Sequence, residues 1–181
     1  MNLNFPLVNF NRTIVTIQTN GDYSVQSLVD TGSYIPVWCD SEEEFFHIYP
    51  KAYYSRYVTF IGGFGKGKET AKIYIIPDFI FSDGTNIVHY RNFAIALLKK
   101  SFAFQMILGY GIFTKSNLSF NTYTNKPSYH TIDSHVLVSY PRDIIFTKLN
   151  VRKDLDSKTR YLLSTKNIKG IIDDVIYLPQ K

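Results

Sequence analysis

The chain of 181 residues fits one domain with an appendage, or two very small domains, and excludes two full-sized ones. A hydrophobic fraction of 45% with 19% charged residues excludes a disordered chain, and 14 Tyr with 14 Phe favour β structure. The net charge of +5 is uneven, because residues 1–120 hold 10 Lys/Arg and 9 Asp/Glu whereas residues 121–181 hold 10 and 6. This excess forms no dense basic run, so nucleic acid is not favoured as a partner.

Cys39 is the only cysteine, which excludes an intrachain disulfide and a cysteine-based zinc cluster. The four histidines lack the spacing of metal ligands, and we expect neither a metal nor a cofactor. The first residues lack a basic flank followed by an apolar signal core, and no apolar stretch is long enough to span a bilayer. These features predict an intracellular, cytoplasmic protein without a membrane partner.

The first predicted element is a β-hairpin. Residues 13–17 are mostly β-branched, residues 20–22 (Asn-Gly-Asp) give a turn signal, and residues 23–29 are again extended in character. The second strand runs directly into the sequence Asp30-Thr31-Gly32-Ser33. Ordinary turns also use Asp and Gly, because both tolerate special backbone angles. From this segment alone, a purely structural role for Asp30 stays open.

A short helix and a long hairpin are predicted next. Asp40 or Ser41 is expected to cap the helix, which carries acidic residues in its first turn, where the helix dipole favours them. Residues 57–61 and 70–76 predict two strands joined by the glycine-rich residues 62–67. Neither a helix start nor Gly-Lys-Ser/Thr follows this tip, so a mobile hairpin fits better than a phosphate-binding loop.

The later elements are predicted from apolar runs and turn residues. They are strands at 79–81 and 87–98 around a turn at 82–84, an apolar run at 104–109, a helical turn at 110–114, and a strand at 117–120. Residues 1–120 thus predict one compact, nearly all-β unit. A linker is expected at 121–128, and residues 121–181 predict a mixed α/β extension of unknown role, with strands at 135–140, 144–149 and 174–178 and a helix at 153–164.

Three motifs of the first unit occur in a characteristic order. An apolar strand runs into Asp30-Thr31-Gly32-Ser33, a hairpin has the tip Ile61-Gly62-Gly63-Phe64-Gly65, and an apolar pair precedes Gly109. This order and spacing resemble the retropepsin-like (retroviral-type) aspartic proteases over about residues 12–121. The resemblance implies a mainly β fold, namely a closed acid-protease barrel with a flap hairpin, and hydrolysis of peptide bonds.

The resemblance also implies a role for each residue of the loop. Asp30 would be the catalytic carboxylate, Thr31 would hydrogen-bond across a two-fold axis, and the Gly32 N–H would hold the carboxylate. Ser33 would donate its hydroxyl to the outer oxygen of Asp30. The flap residues Ile61, Gly62, Gly63, Phe64 and Gly65 would cover a peptide or protein substrate and exclude water.

Aspartic proteases use two carboxylates that share one proton, so one such loop is not sufficient. The chain contains a single Asp-Thr-Gly: Asp133 and Asp156 lack the following glycine, and Asp83-Gly84-Thr85 has the wrong order. The predicted enzyme is therefore a homodimer in which Asp30 of each subunit meets its counterpart on a two-fold axis.

Two features depart from the retroviral pattern. Tyr110 stands where those enzymes commonly have an arginine after the apolar-apolar-glycine element, and residues 121–181 have no counterpart in the minimal retroviral enzyme. Two alternatives to an active protease therefore stay open. One is a non-catalytic module of the same fold that binds a peptide, a protein or nucleic acid, and the other is a protease held latent by its tail.

Overall fold

The fold is mainly β, as a computed structural model of the chain shows. The residues that it describes are 2–5, 7–9, 13–30, 32–33, 35–62, 67, 69–109, 116–121, 126–131, 138–139 and 152–154. The elements are β1 (Asn2–Asn4), β2 (Leu7–Asn9), β3 (Ile14–Gln18), β4 (Ser24–Asp30), β5 (Val37–Trp38), α1 (Glu42–Ile48), β6 (Tyr53–Ile61), β7 (Glu69–Ser82), β8 (Ile87–Leu97), β9 (Met106–Gly109), β10 (Ser116–Asn121), β11 (Lys126–Thr131), β12 (Val138–Ser139) and β13 (Arg152–Lys153). The predicted mainly β class is confirmed.

The main sheet is mixed and closes on itself. Its strands follow the order β8-β5-β9-β4-β3-β7, and β7 pairs back with β8, so six strands form a hydrogen-bonded ring. The pairs β4–β9 and β5–β8 are parallel, whereas β3–β4, β6–β7 and β7–β8 are antiparallel. A second sheet has the order β1-β11-β10. Ring closure leaves fewer open edges at which another chain could pair.

The opening hairpin and its turn are confirmed. β3 and β4 pair from Ile14 opposite Leu28 to Gln18 opposite Ser24, and a 3-10 turn at Asn20–Asp22 joins them. The Asn20 side chain fixes this turn to β7, because its Nδ2 donates to the Asp78 carbonyl at 2.6 Å and its Oδ1 accepts from the Ile80 N–H at 2.9 Å. Asp30 lies at the other end of β4 from this turn.

Aromatic side chains fill the space inside the ring and under α1. Phe79 and Phe93 stack with ring centroids 3.9 Å apart, and Trp38 packs against Phe45 and Tyr49 of the helical segment. All five are buried. Each such side chain contributes about 1.5–3 kcal/mol by leaving water. Trp38 is part of the hydrophobic core.

The helix begins as the sequence predicts. Ser41 is the N-cap, and its hydroxyl accepts a hydrogen bond from the Glu44 N–H at 3.1 Å. Phe45 and Ile48 are the buried residues of α1. Within the described part of the chain, α1 has seven residues and no helix has the length and apolarity needed to cross a membrane.

β7 is longer than predicted. The sequence predicts separate strands at 70–76 and 79–81, whereas β7 continues through Pro77 from Glu69 to Ser82. A proline inside a strand removes one ladder hydrogen bond. Here β8 pairs with Ile76 and with Asp78 of β7 but not with Pro77 between them. Asn92, the β8 residue opposite Pro77, has a φ of 53°. A local irregularity in β8 therefore accommodates the missing donor.

Strands from the predicted C-terminal extension pair with strands of the first unit. β11 lies between β1 and β10, β12 pairs with β8, and β13 pairs with β6. Asn121 ends β10 and Lys126 begins β11, so both ends of the predicted linker belong to a hairpin. The short β12 lies within the strand predicted at 135–140. The elements predicted at 110–114, 144–149 and 174–178, and all but the first two residues of the helix predicted at 153–164, lie outside the described residues.

Candidate active site

Asp30 is the last residue of β4, and two neighbouring strands fix its position. β4 is antiparallel to β3 on one side and parallel to β9 on the other, where Asp30 is in register with Gly109. Leu28 and Val29, the two residues before it, pack partly buried against the core. The Asp30 carboxylate is partly exposed at the end of this well-supported strand.

The loop after β4 holds the carboxylate through its own backbone. The Gly32 N–H donates to Asp30 Oδ1 at 2.9 Å, and the Ser33 N–H donates to the Asp30 carbonyl at 3.2 Å. A Cβ at residue 32 would lie 3.1 Å from Asp30 Oδ1, closer than most side-chain contacts. This hydrogen bond joins the same two groups that the resemblance paired. Thr31 lies outside the described residues.

Ser33 makes a different contact from the one that the resemblance implied. Its hydroxyl donates to the Ile35 carbonyl at 2.8 Å, not to the outer oxygen of Asp30. A serine hydroxyl readily bonds to backbone within two residues, and here the turning loop brings the Ile35 carbonyl within reach. In this chain, Ser33 therefore shapes the loop rather than bonding the carboxylate directly.

Gly109 supports the loop from the neighbouring strand. A Cβ at this position would lie 2.7 Å from the Ser33 carbonyl oxygen and 2.8 Å from the Ile35 carbonyl oxygen. Those distances are too short for any side chain, so only glycine lets the loop backbone lie this close to β9. Sequence reasoning identified the glycine after the apolar pair, but its contact with the loop depends on the parallel β4–β9 register.

The predicted flap begins on the described part of a projecting hairpin. Residues 59–61 of β6 pair with residues 69–71 of β7, whereas β8 pairs with β7 only from Lys72 onward. We call the paired residues 59–61 and 69–71 the ribbon. Ile61 ends β6 and Gly62 follows it, while Gly63, Phe64 and Gly65 lie outside the described residues. An ion pair between Lys100 and Glu69 fixes the β7 side of the ribbon.

The acidic first turn of α1 is used in structural contacts. Glu42 forms an ion pair with Lys99 at 2.8 Å and accepts a hydrogen bond from the Tyr74 hydroxyl at 3.2 Å. The Lys99 hydrogen bond lowers the pKa of Glu42, and burial, with the Glu42 charge second, raises the pKa of Tyr74 to about 12. Among the described residues, no group of three or more His, Cys, Asp or Glu side chains could hold a metal ion. Sequence spacing gave no signal for these long-range contacts.

A separate groove of about 310 Å³ lies near the β3–β4 turn. The Tyr23 hydroxyl and His47 Nε2 are 2.8 Å apart on its wall, and buried Ile48 and Ile76 also line it. Because Asp30 ends β4 and the turn begins it, this groove lies at the opposite end of the strand from the carboxylate. It is not part of the candidate active site.

Comparison with known proteins gives a limited result. No protein-family model and no curated protein sequence matches the chain. Solved structures that match include the retroviral protease-like domain of Ddi1 from Leishmania major, with 13% sequence identity, a TM-score of 0.42, and coverage of 68% of this chain and 96% of that chain. The assignment of a function therefore depends on the residues of this chain.

Proposed function

We propose that the chain is a retropepsin-like aspartic endopeptidase that acts as a homodimer. The observation that carries the proposal is Asp30, a partly exposed carboxylate at a strand end, held by the Gly32 N–H at 2.9 Å on a loop that packs against Gly109. The Gly32 contact by itself also fits a structural turn, because turn aspartates accept N–H groups two residues on. The catalytic role is favoured by the partly exposed position of Asp30 at a strand end, on a loop packed against Gly109.

The chemistry requires a second carboxylate, which the partner subunit would supply. Two carboxylates within hydrogen-bond distance share one proton, because both cannot ionise readily. One then draws a proton from water while the other donates to the peptide carbonyl, as general acid and base. The single Asp-Thr-Gly in the sequence supports an isologous arrangement in which each subunit contributes one Asp30.

The substrate is an extended, mainly apolar peptide segment. In this proposal the ribbon and its glycine-rich tip close over the bound peptide, which excludes water and strengthens the electrostatics of the carboxylate pair. Ile61 is partly buried and Gly62 is exposed, so the chain leaves the packed part of β6 where the proposed flap begins.

Replacing Asp30 with asparagine tests the proposal. Asp30→Asn keeps the side-chain shape but cannot share a proton, so we expect cleavage of a mixed peptide library to fall by at least about a hundredfold. Asp22→Asn is the matched control, because Asp22 is exposed in the turn that precedes the same strand and its φ of 60° suits asparagine. Cleavage products are counted by mass spectrometry, and a statine-type transition-state mimic should inhibit the wild type and the Asp22→Asn protein alike.

Equal cleavage by wild type and Asp30→Asn would refute the proposal. Absence of cleavage by both proteins, together with binding of the same peptides, would instead favour the non-catalytic module.

A further inference from the structure

The outer edge of β6 is occupied by a short segment of the same chain. Arg152 pairs with Val58 and Lys153 with Tyr57 in antiparallel register, and the Asp154 N–H then donates to the Arg56 carbonyl at 2.8 Å. Residues 152–154, which we call the docked segment, thus add a strand to a sheet edge. This is the geometry by which proteins bind extended peptides through β-augmentation.

Residues at the edge of β6 contact Asp154 of the docked segment through both backbone and side chain. A bulge interrupts the β6–β7 register between Tyr54 and Tyr57, and Arg56 within it has a φ of 65°. The Tyr54 hydroxyl donates to Asp154 Oδ2, while the Lys72 ammonium lies 4.9 Å from the centre of the Tyr54 ring. Backbone pairing therefore sets the direction of the segment, and recognition of an aspartate sets its register.

The docked segment lies at the root of the ribbon. The root consists of Tyr57 and Val58 of β6 with their partners Ile73 and Lys72 of β7. In the direction of the tip, Lys72 is the last residue of β7 that pairs with β8. Residues 59–61, toward the tip, pair with residues 69–71 of β7, and Arg152 and Lys153 pair with the two residues of β6 that precede them. Pairing of the docked segment with β6 therefore affects the stability of the strand pairing at the root of the ribbon.

We propose that the outer edge of β6 is a binding site for an extended segment that carries an aspartate, that residues 152–154 fill it in this chain, and that its occupancy restrains the root of the ribbon. At the root, β7 already pairs with β8, and the docked segment adds backbone hydrogen bonds on the opposite edge, that of β6. The restraint is independent of catalysis by Asp30. Only its consequence for substrate closure depends on the proposed function.

Amide hydrogen exchange tests the restraint on the full chain. Tyr54→Phe removes the hydroxyl that bonds Asp154, and Asp154→Ala removes the carboxylate. We expect each to speed exchange of amides in residues 53–61 about fivefold, while the amides of β4 are unchanged. Tyr53→Phe is the matched control, because Tyr53 is the adjacent tyrosine and is 52% exposed. Repeating the measurement in the Asp30→Asn background separates the result from any self-cleavage.

A peptide supplied in trans tests the binding site itself. A peptide with the sequence of residues 149–157, added in excess to full-length Asp154→Ala protein, should return the exchange of residues 53–61 to the wild-type rate. The same peptide with alanine in place of its first aspartate should not. Unchanged exchange in both variants, or a uniform rise that includes β4, would overturn the restraint. Failure of the peptide to slow exchange would overturn the edge as a site for a separate strand.

Discussion

At the scale of single residues, Cys39 is a buried thiol with a raised pKa. It follows β5, is 1% exposed, and its Sγ lies 3.9 Å from the Val37 carbonyl oxygen. Burial, with the Asp40 charge as a second cause, raises the pKa of its thiol from 9.0 to about 12. The thiolate is the reactive form, so we expect a disulfide reagent at pH 8 to modify the native protein about a thousandfold more slowly than a free cysteine.

The control for Cys39 is the same reaction in denaturant, where the thiol should react at the rate of a free cysteine. Because its folded pKa is raised, Cys39 stabilises the fold fully below pH 9.0 and loses this contribution as the pH rises toward about 12. Rapid modification of the native protein at pH 8 would contradict the burial of this thiol.

Local sequence was sufficient for contacts between residues that lie close in the chain. The Gly32–Asp30 hydrogen bond spans two residues and the Ser41 cap spans three, so motif and spacing predicted both. The Ser33 hydroxyl could not be assigned in the same way, because the loop offers it the Ile35 carbonyl as a competing acceptor. Choosing between two nearby acceptors requires the path of the loop over Gly109.

At the scale of elements, the contact between β9 and the loop that follows β4 gives a direct test. Gly109→Ala would place a Cβ 2.7 Å from the Ser33 carbonyl oxygen, which forces the loop or the strand to move. We expect a loss of about 1–3 kcal/mol in the free energy of unfolding. Urea denaturation of the full chain measures it. Gly62→Ala is the matched control for stability, because a Cβ there meets nothing within 4 Å, and equal losses in the two variants would contradict the close packing at Gly109.

Hairpins were predictable because turn residues mark them, as Asp83 and Gly84 do between β7 and β8. The Asp83 carboxylate accepts from the Asn86 N–H at 2.7 Å, and Gly84 has a φ of 93°. The continuity of β7 through Pro77 was not predictable, because an irregularity fifteen residues later, at Asn92, compensates for it. The parallel pairing of β4 with β9 was not predictable either, because it joins strands about 80 residues apart in the sequence.

At the scale of the whole molecule, strands from the later part of the chain pair with strands from the earlier part. β11, β12 and β13 each pair with a strand from residues 1–121, and the polar composition near residue 121 gave no sign of it. Such pairings depend on which sheet edges the earlier strands leave open. The single Asp-Thr-Gly makes a homodimer a requirement of the proposed activity.

Mixing subunits tests that coupling between catalysis and dimerisation. When wild-type and Asp30→Asn chains are combined equally and allowed to exchange, about half of the dimers are mixed and carry one carboxylate, and about a quarter are wild-type homodimers. Because a lone carboxylate cannot share a proton with a partner, the cleavage rate should fall to about half of that given by the same amount of wild type alone. Asp22→Asn chains in the same mixture should cause no fall. A rate that stays constant after exchange, with native mass spectrometry confirming mixed dimers, would show that each subunit catalyses independently and would refute the shared dyad.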